Sequence, residues 1–324
     1  MTFVAGRLWP SQRWPRLRRA ARSIYYGPRR NYRRMLFEIW SKASQLRHGA
    51  TRWIDVHGVK VLVRTDDLQA YWLSRAGGRQ SHLVEGWQAL AERGPEVCID
   101  VGANYGEFSV AVAPWFSGKL VAVEANPDLC RCLQETLRPF SNAHLVHAAA
   151  AEGDGGTARL FVRRRMSGYA SLARQGTRHK DEVSHVVATV RDDEVAVHVP
   201  RRTVSSLVAE SWGGSYPRSC ILKVDVEGYE DVVLDGAAQL LEQCTWWRAI
   251  VEFNRLNVIA RGMDPADAWR RLRRHKGKVI AAADAGGSGG NGIASAVRTK
   301  ILKAELPEVP PDYSDVLIGE GELP

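Results

Sequence analysis

Ten residues constrain this chain more than any others: Val97-Cys98-Ile99-Asp100-Val101-Gly102-Ala103-Asn104-Tyr105-Gly106. A short apolar run that ends on an acid and then meets two glycines, with three residues between them, predicts a buried parallel strand turning tightly into a helix. Glycine at 102 and 106 lets the backbone approach a ligand closely, and Glu107 to Phe116 is apolar enough to pack back on a sheet. Such corners also carry glycine for packing alone, so the motif needs a second feature before it reads as a binding site.

That feature is Glu124, eighteen residues beyond Gly106, which closes the apolar run Leu120-Val121-Ala122-Val123. An acid at the end of a second strand is placed to accept hydrogen bonds from both hydroxyls of a ribose. The first corner lacks the middle glycine of the dinucleotide fingerprint, and Asp100 would repel a pyrophosphate. It suits a cationic group instead. S-adenosyl-L-methionine joins an adenosine ribose to such a group, so an NAD-dependent oxidoreductase is the less favoured reading.

A second stretch carries charge into an apolar setting: Ile221-Leu222-Lys223-Val224-Asp225-Val226-Glu227-Gly228-Tyr229-Glu230. Alternate residues of a strand share a face, which puts Lys223, Asp225 and Glu227 on one side. Three such charges are costly unless paired or set at the strand's open end, where α/β sheets bind ligands. Asp225 and Glu227 are therefore the candidate catalytic residues, either one serving as base for an acceptor hydroxyl, and Lys223 reads as an ion-pair partner. The run Ala249 to Asn254 ends in a further polar pair, Glu252 and Asn254. A rival reading lets Asp225, Glu252 and Asn254 hold Mg²⁺; the favoured one assigns no metal.

These residues resemble the FkbM family of methyltransferases. The likeness lies in Ile99 to Gly106, in Val123-Glu124-Ala125-Asn126-Pro127, and in Leu222 to Glu230 followed by Val233-Leu234-Asp235-Gly236-Ala237. It spans roughly residues 95 to 260. It implies a class I methyltransferase fold: α/β, doubly wound, a mostly parallel seven-stranded sheet with an antiparallel edge strand. It also implies O-methylation of a hydroxyl on a sugar, glycan or polyketide-type acceptor. Asp100, Gly102, Ala103, Asn104, Gly106 and Glu124 would line the cofactor site, with Asp225 near the methyl donor. One departure is Thr203-Val204-Ser205-Ser206-Leu207, where the family usually carries an acid after Thr-Leu.

The remaining core alternates helix and strand signals, as a doubly wound sheet requires. A helix from Pro127 to Pro139 opens at Asn126-Pro127-Asp128, a third strand runs His144 to Ala149, and Ala158 to Val162 reads as a further strand at the sheet's margin. His147 falls near the expected crevice; a structural role outweighs a catalytic one. Residues 163 to 200 read as a long insertion over the mouth of the sheet. Near the end, Pro265 to Arg274 is a basic amphipathic helix, and Val279-Ile280-Ala281 with Asp315 to Ile318 supply the last two strands. Gly286 to Gly292 between them reads as a flexible linker.

Upstream lies a different texture. Residues 51–94 hold a hairpin signal at His57-Gly58 and a helical stretch, forming a cap before a 95–324 methyltransferase domain. Residues 1–50 carry twelve basic residues against the single acid Glu38, so they account for the chain's formal charge of +9. With Trp9, Trp14, Leu17, Ile24, Tyr25 and Tyr26 interleaved among arginines, this extension could fold back on the domain. It could also lie on an anionic membrane or resemble a transit peptide; nucleic acid is the least favoured partner. Five cysteines without metal spacing suggest reduced thiols and a cytoplasmic setting, with peripheral membrane contact through the arm. A non-catalytic scaffold that keeps the fold is the alternative from another functional class.

Overall fold

The computed structural model describes residues 32, 34–78, 81–174, 194–275, 277–280, 306, 308 and 312–324. The expected linker at 286–292 and most of the basic extension lie outside them.

In chain order the elements are α1 (34–48), the hairpin β1 (Thr51–Val56) and β2 (Val59–Arg64), then α2 (Leu68–Ala76) and α3 (Ser81–Ala91). There follow β3 (Val97–Val101), α4 (Glu107–Val112), β4 (Lys119–Glu124), α5 (Pro127–Leu137), β5 (Ala143–His147) and β6 (Ala149–Ala150). Next come β7 (Thr157–Arg163), β8 (Glu194–Arg202), α6 (Val204–Ser211), β9 (Ser219–Val224), α7 (Glu230–Gln243) and β10 (Trp246–Asn254). The last are α8 (Arg255–Ala260), α9 (Pro265–Leu272), β11 (Gly277–Ile280) and β12 (Tyr313–Glu320).

Seven strands form one sheet in the order β11-β12-β10-β9-β3-β4-β5. The pairs β10/β9, β9/β3, β3/β4 and β4/β5 are parallel, whereas β12 runs antiparallel to both β10 and β11 at one margin. This is the doubly wound sheet that the sequence implies. Strand order reverses between β3 and β9, so the crevice that such sheets offer to a ligand opens there, at the carboxyl ends.

The alternation of β3 sorts its side chains between two cores. Val97, Ile99 and Val101 pack with β9, β10, α6, α7 and α9, including Trp269 against Phe253 with ring centroids 4.8 Å apart. Cys98 joins Leu120, Ile221 and Ile250 under α3 and α4, where Trp87 donates its indole N–H to Phe108 O at 3.0 Å. The hairpin is a separate two-stranded sheet whose Val56, Val61 and Val63 pack on α5 and Tyr105.

Two sequence expectations need revision. The segment Ala158 to Val162 is a strand but does not extend the main sheet: β7 pairs with β8, and β8 with β6, in a three-stranded sheet of its own. The helical stretch expected after the hairpin is two helices, because Gly77 takes a left-handed backbone (φ 65°) and ends α2. Among the described residues no helix is long and apolar enough to cross a membrane.

Candidate active site

A cavity of about 960 Å³ opens over the carboxyl ends of β3, β4, β9 and β10. One end is formed by Val101–Tyr105 and Val123–Ala125, the other by Lys223, Asp225–Glu227, Glu252 and Tyr313. Trp72 of α2 and the segment 167–172 also line it. The insertion expected over the sheet's mouth thus contributes Ser167 to Leu172 to the wall.

The first corner is built around hydrogen bonds rather than open space. Gly102 N and Ala103 N both donate to Val123 O, at 2.9 and 3.1 Å, which locks the turn after β3 to β4. Gly102 has φ 76°, and a Cβ placed there would stand 1.9 Å from Asp225 O. Gly106 (φ 84°) has Leu133 under it in the same way, 2.5 Å from a built Cβ, and does not line the cavity. These two glycines therefore serve chain crossing and helix packing before any ligand arrives. Asn104, at φ 52°, occupies the left-handed region that asparagine tolerates better than most residues.

Glu124 reaches into this corner from β4. Its Oε2 accepts from Asn104 N and its Oε1 from Asn126 N, each at 2.7 Å. Burial pushes its pKa up, those two amides pull it down, and the nearby Asp100 charge pushes it up again. Each carboxylate oxygen keeps a lone pair, and Glu124 lines the cavity. Asn104 Oδ1 at the same wall is buried without a hydrogen-bond partner among the described residues. An acceptor pair and an orphan amide oxygen suit the hydroxyl-rich end of an adenosyl cofactor.

Asp100 is placed differently. It is buried beneath the corner, and its Oδ2 accepts from Ser109 N (3.1 Å) and Ser109 Oγ (2.7 Å) in α4. It is not part of the cavity wall, although its Oδ1 is buried without a partner among the described residues. Burial raises its pKa against the opposing pull of Lys223.

At the far end, Lys223 Nζ donates to Asp225 Oδ2 at 2.9 Å. Burial works against the ammonium, yet Asp225 and Asp100 together hold its pKa above the ordinary lysine range. The strand β9 ends at Val224, so Glu227 sits not on it but in the following turn, at φ 55°. There Asn257 Nδ2 donates to Glu227 Oε2 at 2.5 Å, and Ser171 Oγ donates to Glu227 O at 3.0 Å. Glu252 completes an acidic group: Tyr313 Oη donates to its Oε2 at 3.1 Å, and burial followed by the charges of Asp225, Glu227 and Asp315 drives its pKa well up.

Several features of this wall were not singled out from sequence. Tyr313 and Asp312 sit far along the chain, and only the antiparallel return of β12 beside β10 brings them over Glu252 and Asn254. Asp67 is fully buried and accepts from Tyr105 Oη at 2.7 Å, from Ser167 N at 3.2 Å and from Ser167 Oγ. It ties the cap, the glycine corner and the 167–172 segment into one frame. The three arginines at the end of β7 and just beyond it are structural: Arg163 pairs with Glu194, Arg164 with Asp66, and Arg165 with both oxygens of Glu38.

His147 is exposed, bonded to Ala125 O at 3.1 Å, and outside the cavity wall. The Mg²⁺ rival loses a ligand, because Asn254 Oδ1 caps α8 by accepting from Leu256 N and Asn257 N. Among the described residues no three His, Cys, Asp or Glu side chains are grouped to hold a metal.

A model described as the methyltransferase FkbM domain matches residues 100–279, more than half of the chain and the whole span from Asp100 past the α9 helix. The protein belongs to the FkbM methyltransferase family. Among curated proteins none matches. Solved structures give faint likenesses. A precorrin-6y C5,15-methyltransferase from Geobacter metallireducens GS-15 is 11% identical over 75% of this chain and 88% of its own, with a TM-score of 0.35. The plantazolicin methyltransferase BpumL, solved with a pentazolic desmethylPZN analog and SAH, is 8% identical over 91% of this chain and 98% of its own, with a TM-score of 0.38. An O-methyltransferase from Bacillus cereus, also with SAH, is 8% identical over 74% of this chain and 79% of its own, at 0.36.

Proposed function

We propose that the protein transfers a methyl group from S-adenosyl-L-methionine to a hydroxyl of a sugar, glycan or polyketide-type acceptor. The observation that carries this is one continuous cavity running from Glu124 to Asp225: one end offers ribose acceptors, the other a carboxylate for the reacting oxygen. When bound, the cofactor supplies an electrophilic methyl group on a sulfonium sulfur.

Glu124, preset by Asn104 N and Asn126 N, would accept from the two ribose hydroxyls, with Gly102 and Ala103 lining the cavity beside it. Asp225, steadied by Lys223, accepts the acceptor's proton as the new O–C bond forms. Glu227, held by Asn257, is the second group able to take that role. Most of the rate comes from holding donor and acceptor in line at attack distance, which a walled cavity provides. Trp72, Tyr169, Tyr229 and Tyr313 present aromatic surface suited to the apolar faces of a sugar ring. The basic extension meets an anionic membrane surface.

Mass spectrometry of metabolites from cells expressing the wild type or Asp225→Asn tests this reading. A hydroxyl-methylated product confined to the wild type is expected. An N-methylated product, or the same product from both proteins, would contradict the assignment of acceptor or base.

A further inference from the structure

The helix α1 is apolar on two sides. Phe37, Ser41 and Ser44 are buried, with Phe37 in a cluster with Leu68, Tyr71 and Met166. Glu38 anchors the helix further through its two-pronged pair with Arg165. The outward side should then be polar. It is not: Met35, Ile39 and Leu46 are 49%, 56% and 90% exposed.

At 3.6 residues per turn these three positions fall within an arc of about 40°, turned away from Phe37. On the same wheel Lys42 lies on one flank of the stripe and Arg47 on the other. An apolar stripe rimmed by cations is the pattern of a helix lying in the plane of a membrane interface.

We infer that this face of α1 docks on an anionic lipid surface. The inference rests on the reading that the basic extension meets a membrane and assigns the seat of that contact. Charge selects the occupant. Residues 1–31 hold eight arginines and no acid, so folding them onto the stripe would set cations against Lys42 and Arg47. A second copy, meeting face to face, would oppose the same cations to themselves. Anionic headgroups instead neutralise the rim while the stripe enters the acyl boundary. The arm's Trp9, Trp14, Tyr25 and Tyr26 are residue types enriched at that boundary. Docking there also orients the site, because α2 presents Tyr71 to α1 while its Gln69, Trp72 and Leu73 line the cavity.

Co-sedimentation of the full chain with phosphatidylcholine vesicles, with and without phosphatidylserine, tests this. The wild type should bind only the anionic vesicles. The double variant Ile39→Glu, Leu46→Glu, altered only at exposed positions, should bind at least about tenfold more weakly with unchanged thermal unfolding. An independent readout labels Leu46→Cys with an environment-sensitive dye, whose emission should shift to the blue on anionic vesicles. If the double variant binds as the wild type does and the dye does not shift, the arm alone docks and the stripe assignment falls. If neither protein binds, both the stripe and the membrane reading fall. A wild-type dimer that the double variant converts to monomer, without vesicle binding, would make the stripe a self-interface and overturn the inference.

Discussion

Lys223 Nζ lies 2.9 Å from Asp225 Oδ2, and both residues line the cavity at the point where β9 meets β3. The Lys223 side chain is 7% exposed and also feels the buried Asp100 from the neighbouring strand, so one cation offsets the charge of two acids.

Removing the cation should therefore hurt more than neutralising one acid. Lys223→Met leaves Asp100 and Asp225 without their shared cation and is expected to cost about 3 kcal/mol. Asp225→Asn leaves Lys223 still facing Asp100 and should cost roughly 1–2 kcal/mol, less because Asp225 is partly solvated. Urea denaturation of both variants checks the order; equal losses would mean that Asp100 and Lys223 are not coupled.

The pH dependence of stability should carry the mark of Glu230. This buried acid accepts from Val226 N and Gly228 N, and burial raises its pKa from 4.5 to about 7. A carboxyl whose folded pKa exceeds its unfolded one contributes stability that is fully present below about pH 4.5 and is lost as pH rises through about 7. Glu230→Gln keeps both acceptor bonds and removes the titration. Melting curves at pH 5 and pH 8 should show the variant gaining on the wild type at the higher pH. A difference that is the same at both would contradict the assignment.

Gly102 at the first corner and Gly155 in the turn before β7 offer a contrast between two left-handed residues. Gly102→Ala must push Asp225 O away from a contact of 1.9 Å, and the loss should be about 3 kcal/mol or more. Gly155 shares the conformation (φ 88°) with nothing within 4 Å of a built Cβ, so Gly155→Ala should cost only about 1 kcal/mol. Thermal unfolding of the two variants measures the difference directly.

How much of this was legible beforehand follows from the range of each interaction. The strands ending at Val101, Glu124 and Val224 show in sequence because burial on both faces demands continuous apolar runs, and Asn126-Pro127 marks a helix start by local chemistry. That Gly102 also makes room for Asp225 O does not show in sequence, because the two lie more than a hundred residues apart. Tyr313 over Glu252 and Ser167 on Asp67 are likewise brought together from 61 and 100 residues apart in the chain. Glu227 was assigned to the strand face by alternation, and the strand stops before it. Alternation describes a strand but does not say where one ends. Thr203, where the family motif departs, proves to be the N-cap of α6, its hydroxyl oxygen accepting from Ser206 N.

The most direct test is calorimetric titration of S-adenosyl-L-homocysteine, and separately NAD, into the wild type and Glu124→Ala. Saturable binding of the former to the wild type, weakened about 10- to 100-fold in the variant, is the expected result, with no heat from NAD. Undiminished affinity in the variant, or binding of NAD alone, would contradict the placement of an adenosyl ribose on Glu124.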